Sequence, residues 1–252
     1  MNPTTRFDDR AGAYVAGRPS YPQAAIDALF DGLGDPHEVL AADIGAGTGI
    51  SSRLLAAAGA RVLAIEPNAD MRSAAEPHPN VEWIAATGEE TGLNEASVDL
   101  VTVFQAFHWL DPHAALREFL RILRPGGRVA LVYNERDESD AFTAAYGDLV
   151  RLYATDETER RRDDARSAFE RLASAGAWHQ PRRLTFSNTH DLDADGLFAR
   201  TRSTSYLPKG GAAAEELRAE SRELFARFAA NGRVQMRMLT IVSIGDVGGD
   251  GA

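Results

Sequence analysis

A glycine-rich turn at residues 43–49 is the part of the sequence best suited to bind a ligand. It reads Asp-Ile-Gly-Ala-Gly-Thr-Gly and comes directly after the apolar run 39–42. Glycines at every second position remove side chains where a backbone must approach a ligand, and they tolerate positive φ angles. An apolar strand that breaks into such a turn before a helix is typical of nucleotide-binding proteins.

The spacing of the glycines indicates which nucleotide the turn favours. A dinucleotide-binding fingerprint reads G-x-G-x-x-G, so its third glycine, counted from Gly45, would occupy the position of Ile50. The third glycine is Gly49 instead. Asp43 adds a carboxylate that would repel a pyrophosphate and attract a cationic amino group. The turn therefore favours S-adenosylmethionine (SAM), whose methionine end carries an ammonium group.

Composition narrows the class of protein. The chain has 252 residues, 44% hydrophobic and 25% charged, which suits one large globular domain or a core domain with an inserted cap. It has no cysteine, which excludes disulfides, thiolate metal ligands and a cysteine nucleophile, and no metal site is predicted. The net charge of −10 opposes nucleic-acid binding. Since the chain has no run of ~20 apolar residues and no signal-peptide core, we expect a cytoplasmic protein without a membrane partner.

Strand and helix signals alternate along the chain. Periodicity predicts a helix over 22–33, and strands near 40–44, 61–65, 81–85, 98–104, 128–133, 183–187 and 234–244. The predicted fold class is therefore α/β: a Rossmann-like, doubly wound, seven-stranded sheet that is mostly parallel, with the last strand antiparallel. Helical cap insertions are expected after strand five and between the last two strands. The carboxyl ends of the parallel strands then share one edge.

The predicted organisation has five parts. An N-terminal helical lid over the cofactor is followed by a SAM-binding core, a helical cap, the rest of the sheet with helices on the substrate side, and a flexible tail. Their predicted bounds are 1–38, 39–134, 135–181, 182–244 and 245–252. A homo-oligomer is compatible with the sequence, which does not decide the oligomeric state.

Polar side chains follow the second and third predicted strands. Glu66 ends strand two, where a carboxylate can accept hydrogen bonds from both ribose hydroxyls of an adenosine, or can simply begin the next helix. Met71 could pack against the adenine ring or fill the core. Thr87-Gly88-Glu89 follows strand three, and Glu89 could accept a hydrogen bond from the adenine amino group or be a solvated acid.

Strand four ends in Gln105-Ala-Phe-His108-Trp109, which brings an amide, an imidazole and aromatic rings to the same edge. Methyl transfer from a sulfonium needs an oriented nucleophile, exclusion of water and in some cases removal of a proton. His108 is the candidate base, because imidazole has an unperturbed pKa near neutrality. Its alternative role is to hydrogen-bond the backbone or the neighbouring helix.

These motifs, together with Leu123-Arg-Pro-Gly-Gly127, resemble those of class I SAM-dependent methyltransferases, the methyltransferase type 11 superfamily. Four segments are further similar to the trans-aconitate methyltransferase-like group of small-molecule enzymes: Tyr14-x-x-x-Arg18-Pro-x-Tyr-Pro22, residues 105–111, Tyr133-Asn-x-Arg-Asp137 and Arg202-Ser-x-Ser-Tyr206. Many relatives have Asp where this chain has Thr87, so adenine recognition is expected to use Glu89 or the backbone.

Two groups of site residues are expected, the first mainly from the resemblance and the second from the segments that should cover the acceptor pocket. Cofactor contacts are expected from Tyr14, Arg18, Asp43, Gly45, Ala46, Gly47, Glu66, Pro67, Met71, Thr87, Gly88, Glu89 and Gln105. Acceptor contacts are expected from His108, Trp109, Asn134, Arg136, Arg202 and Tyr206. Arg18 also suits the methionine carboxylate on physical grounds, although this chain is rich in surface arginines.

The leading hypothesis is SAM-dependent methyl transfer to a small-molecule acceptor, with O-methylation of a carboxylate or hydroxyl favoured. C- or N-methylation of a secondary metabolite is the first alternative. An NAD(P)-dependent oxidoreductase and a non-catalytic SAM-fold binding protein are alternatives of other classes. The position of Gly49, Asp43 and the lack of a Tyr-x-x-x-Lys pair argue against the oxidoreductase.

Overall fold

Seven strands form one sheet in the part of the chain that the computed structural model describes, residues 19–154, 170, 173, 178–204 and 206–248. The strands are β1 Leu40–Ile44, β2 Arg61–Ile65, β3 Val81–Ile84, β4 Val98–Phe104, β5 Leu123–Arg136, β6 His179–Leu192 and β7 Val234–Asp246. The helices are α1 Gln23–Phe30, α2 Ile50–Ala57, α3 Ala69–Ser73, α4 Pro112–Ile122, α5 Ala141–Tyr153, α6 Ala194–Ser203 and α7 Ala212–Phe228.

The order of strands across the sheet is β3-β2-β1-β4-β5-β7-β6. β1 to β5 run parallel, and β7 runs antiparallel to both of its neighbours. The predicted α/β class and the antiparallel last strand are confirmed. The order reverses between β1 and β4, and in open α/β sheets the ligand binds outside the carboxyl ends of the strands at such a reversal.

Two apolar clusters cover the opposite faces of the parallel strands. On one face, Phe119 and Ile122 of α4 pack against alternate residues of β1, β4 and β5. On the other, Ile26 and Leu29 of α1 and Leu55 of α2 pack against the intervening residues. Near-continuous apolar strands are required here because both faces of a parallel sheet are buried.

α1 was predicted to belong to a lid over the cofactor, and the structure corrects this for the helix itself. Its apolar stripe, including Ile26 and Phe30, is buried against Val242 and Ile244 of β7. The helix therefore covers the sheet, and nothing in its packing leaves it free to close over a ligand. Residues 1–18, the rest of the predicted lid, lie outside the described residues.

The helices of the predicted cap, α5, α6 and α7, enclose a third apolar cluster against the first half of β7. Phe142, Tyr146, Leu197 and Leu217 from these helices pack with Met236 and its neighbours. The cap is thus built on the antiparallel pair of strands β6 and β7, which extends beyond the parallel strands. Among the described helices, none has the length and apolar character that a membrane span requires.

The prediction of a flexible tail is wrong for the first residues of that segment. Gly245 and Asp246 belong to β7, and the Val247 N–H donates to the Gly127 carbonyl at 2.7 Å. Arg128 explains why this end is ordered. Its buried guanidinium donates to Asp246 Oδ1 and to the carbonyls of Leu29 (3.0 Å) and Asp31 (2.7 Å), which ties β5, β7 and the end of α1 together.

We expect Arg128→Met to lower the free energy of unfolding by about 3 kcal/mol, because it leaves Asp246 and two carbonyls without their buried donor. Urea-induced unfolding checks this. Arg124→Met is the matched control: Arg124 pairs with Asp99 at 2.6 Å, but its side chain is 46% exposed, against 4% for Arg128. An exposed pair contributes less than about 1 kcal/mol. Equal losses in the two variants would contradict the assignment of Arg128.

Candidate active site

The glycine turn lies at the carboxyl end of β1, beside the reversal in strand order. Gly45 and Ala46 donate their N–H groups to the Ile65 carbonyl at 2.8 and 3.1 Å, which bends the chain away from the sheet. Gly45, Gly47 and Gly49 have φ angles of 67°, 59° and 77°, in the left-handed region. A Cβ on Gly45 would lie 2.6 Å from the Cβ of Ala106, so glycine is required there by both conformation and space.

Asp43 lies beneath the turn and does not face it. Its carboxylate is inaccessible to solvent and accepts hydrogen bonds from the hydroxyls of Ser51 (2.7 Å), Ser52 (2.6 Å) and Thr102 (2.9 Å). Sequence analysis expected this carboxylate to contact the cofactor directly. The structure instead gives it a supporting position, in which it joins β1, β4 and the first turn of α2.

Glu66 lies at the end of β2 and supports the turn from the side. Its Oε2 accepts the Gly47 N–H at 2.9 Å, and its Oε1 accepts the Asn68 N–H at 2.9 Å. The residue is 8% exposed. Each oxygen of a carboxylate has two lone pairs, so each Glu66 oxygen keeps one for a further donor.

Burial raises the pKa of both carboxyl groups. For Asp43 the three hydroxyl donors oppose the effect of burial, and the neighbouring Glu66 adds to it. For Glu66 the N–H groups of Asn68 and Gly47 oppose it, as does the charge of Arg72. A buried carboxylate with a raised pKa costs stability in its ionised form, and such groups cluster at functional sites. Thr48, in the same turn, is buried and its hydroxyl has no hydrogen-bond partner in the described part of the chain.

The loop after β3 lies against the loop after β4. Gly88 has no space for a side chain, because a Cβ would lie 2.6 Å from Ile44 Cγ2 and 2.9 Å from Leu110 Cδ1. Glu89 Oε1 accepts the Asp111 N–H at 2.8 Å, so the predicted adenine acceptor also holds the start of α4. Of the other predicted cofactor residues, Ala46 and Met71 are buried, Thr87 is half-buried and Pro67 is exposed.

The segment after β4 carries the predicted acceptor side of the site. Gln105 has a φ of 55°, which is unusual for a residue with a side chain, and its Nε2 donates to the Asn134 carbonyl at 2.9 Å. Residues 107–109 form one 3₁₀ turn. The His108 ring lies 4.6 Å from the Trp109 ring and 6.3 Å from the Tyr133 ring, centroid to centroid. His108 is half-buried and lies near both aromatic rings.

The other predicted acceptor residues have different surroundings. Asn134 is 6% exposed, and its amide is hydrogen-bonded to Ser20, Asn188 and Thr240, so the structure gives it a scaffolding position. Arg136 lies 3.6 Å from Glu138. Arg202 is exposed on α6 with its guanidinium 5.7 Å from the Phe198 ring centre, and Tyr206 packs in the cap cluster.

The structure thus brings together most of the residues predicted at the ends of β1 to β4, and it places Arg202 and Tyr206 in the cap. Tyr14 and Arg18 lie outside the described residues. Tyr133 was not predicted as a site residue, although its motif was noted and it lies at the end of an apolar strand. Asn188 and Thr240 were not predicted either, because they stand in alternating strands with no local motif to mark them.

Comparison with known proteins agrees with this geometry. A family model described as a methyltransferase domain matches residues 42–131, from β1 to β5. An uncharacterized methyltransferase of Mycobacterium tuberculosis is 41% identical over 145 residues, 57% of this chain and 58% of the relative. This chain therefore spans less than two thirds of that relative's length.

Two solved structures share the fold. A protein named as a methyltransferase from an antibiotic biosynthesis pathway of Anabaena variabilis superposes with a TM-score of 0.63 at 22% identity, over 90% of this chain and 98% of the other. A protein named as a type II methyltransferase of Anaeromyxobacter dehalogenans gives 0.58 at 24% identity, over 91% and 97%. The glycine turn, the seven-stranded sheet and the family match therefore agree that residues 42–131 are similar to a methyltransferase domain.

Proposed function

We propose that this protein binds SAM at the carboxyl edge of β1 and β2 and transfers its methyl group to a small-molecule acceptor held near His108. Glu66 carries the proposal. It is a buried carboxylate fixed by two backbone N–H groups, with one lone pair left on each oxygen, and two adjacent ribose hydroxyls match that pair of acceptors. The unpartnered Thr48 hydroxyl in the turn is a second polar group that a ligand would satisfy.

The residues present fit the cofactor. When bound, SAM supplies a methyl group on a positively charged sulfur. The glycine turn lets its methionine part approach the backbone at Gly45 and Gly47, and Glu66 binds the ribose. Gly88, Glu89 and Met71 lie along the adjacent strand ends, where the adenine ring would follow. Asp43 supports the turn from beneath through its hydrogen bonds to Ser51, Ser52 and Thr102.

On the acceptor side, His108 would accept the proton of an acceptor hydroxyl, so that the hydroxyl oxygen could take up the methyl group that bound SAM supplies. The rings of Trp109 and Tyr133 lie near the imidazole and limit the positions that it can adopt. The surroundings of the arginines favour a hydroxyl over a carboxylate, since Arg136 has Glu138 beside it and Arg202 lies in the cap. Methylation at carbon or nitrogen stays the alternative.

Isothermal titration calorimetry with SAM, S-adenosylhomocysteine and NADH tests the cofactor. We expect both adenosyl ligands to bind and NADH not to bind, because the spacing of the turn does not suit a pyrophosphate. Binding of NADH alone would support an oxidoreductase instead. If neither adenosyl ligand binds, the proposed function is wrong.

We expect Glu66→Gln to weaken S-adenosylhomocysteine binding at least tenfold, because a hydrogen bond to a charged group is worth about 1.5–3 kcal/mol. Thermal stability at neutral pH should change little, because the substitution removes a buried charge whose raised pKa costs stability but turns an amide NH2 toward one of the two backbone N–H donors. Thermal unfolding and calorimetry check the two effects, with Glu82→Gln, an exposed position in β3, as the control.

The carboxyl group of Glu66 also predicts that ligand affinity depends on pH. Ligand binding requires the ionised carboxylate, and the pKa of Glu66 is raised, so affinity in the wild type should fall on acidification above the usual titration range of glutamate. Glu66→Gln should lose that part of the dependence. An unchanged pH profile in the variant would show that Glu66 does not bind the ligand.

His108→Ala should slow methyl transfer by about two orders of magnitude while SAM affinity is kept, since that is a typical contribution of a general base. Formation of S-adenosylhomocysteine with a panel of small hydroxyl and carboxyl compounds measures it. His113→Ala, at an exposed position in the first turn of α4, is the control. A carboxylate acceptor needs no base, so a wild-type rate in His108→Ala would remove His108 from the mechanism.

A further inference from the structure

A polar seam crosses the apolar face of the sheet between two of its clusters. It consists of the side chains of Asn134, Asn188 and Thr240 and the backbone carbonyl of Ser20. On β7, Thr240 stands between Val242, which packs under α1, and Met238, which packs under the cap helices. Thr240 is fully buried and Asn134 is 6% exposed.

Each polar group in the seam has a partner. Asn188 Nδ2 donates to the Ser20 carbonyl at 2.9 Å and lies 3.1 Å from Asn134 Oδ1. Asn134 Nδ2 donates to the same carbonyl at 3.2 Å. The Thr240 hydroxyl donates to Asn134 Oδ1 over a short distance. The seam therefore fixes the side chain of Asn134 and the chain at Ser20 from two strands that lie far away in sequence.

The seam reaches the cofactor edge by two routes. The backbone carbonyl of Asn134 accepts the Gln105 side chain at 2.9 Å. The ring of Tyr21, next to Ser20, meets the ring of Phe104 edge-on with centroids 4.8 Å apart. Both routes end at Phe104 and Gln105, the two residues that come just before the turn containing His108. Gln105 has a left-handed backbone, and such a conformation persists only where its surroundings hold it.

Stability alone does not explain polar residues in this place. The flanking positions are apolar, and an apolar residue at 240 would join the two clusters, whereas a buried polar group costs free energy unless all its hydrogen bonds are made. Fully satisfied networks of this kind fix one arrangement of the chain.

We propose that Asn188 and Thr240 are positioning residues of the methyltransferase site. They hold Asn134 and Ser20, and through them they keep Gln105 and the following turn in the geometry that the cofactor and acceptor require. This inference rests on the proposed function. It places part of the cofactor site's support in β6 and β7, outside the segment 42–131 that matches the methyltransferase domain family.

A matched pair of variants tests the proposal. Thr240→Val keeps the shape of the side chain and removes the hydroxyl, while Thr240→Ser keeps the hydroxyl. We expect Thr240→Val to weaken S-adenosylhomocysteine binding about tenfold and Thr240→Ser to stay within twofold of the wild type, as measured by calorimetry. Thr185→Val, the same change at an exposed position of β6, should have no effect.

Hydrogen exchange in the ligand-free protein gives a second measurement. We expect faster exchange of the amides at 105–110 in Thr240→Val and wild-type exchange in Thr240→Ser. Unchanged affinity and exchange in Thr240→Val would overturn the proposal, and so would equal loss of affinity and of thermal stability in Thr240→Val and Thr240→Ser. If the wild type binds no adenosyl ligand, the proposed function fails, and exchange at 105–110 still decides whether the seam positions the turn.

Discussion

The close approach of the end of β1 to the end of β4 is the constraint on which the rest of the site depends. Ala106 leaves no room for a side chain at Gly45. The Thr102 hydroxyl of β4 donates to the Asp43 carboxylate of β1 at 2.9 Å. Because the strand order reverses between these two strands, their carboxyl ends are where an open α/β sheet binds its ligand. The glycine turn follows β1, and the His108 turn follows β4.

Maintaining this approach has a cost in stability. Asp43 and Glu66 are both buried, and burial raises the pKa of each carboxyl group, so their ionised forms oppose folding at neutral pH. The hydroxyls and N–H groups around them offset part of that cost. The apolar clusters on both faces of the sheet and the buried Arg128 network supply the compensating stability away from the site. This division is common where a rigid scaffold carries a strained or charged site.

Much of the fold could be predicted from local patterns. The bounds predicted for β1, β2 and β4 agree with the structure, because each is a short apolar run that ends at a turn or a charged residue. β6 proved longer than predicted, since its length is set by pairing with β7 along an alternating edge strand and not by its own hydrophobicity. A similar reason explains why the first residues of the predicted tail are ordered in the structure. Asp246 is held by Arg128, which lies 118 positions away in sequence.

The site was predictable where its chemistry is local. The glycine turn and Glu66 are recognisable from spacing alone, whereas the surroundings of Asp43 depend on hydroxyls from α2 and β4 that only the fold brings together. Asn134 illustrates the same limit. Its amide looked available for an acceptor, yet its partners come from β6, β7 and the residues before α1. In the proposed site, the segment that matches the methyltransferase domain family carries the groups that would face the ligands, and the antiparallel strands β6 and β7 beyond it would hold those groups in place.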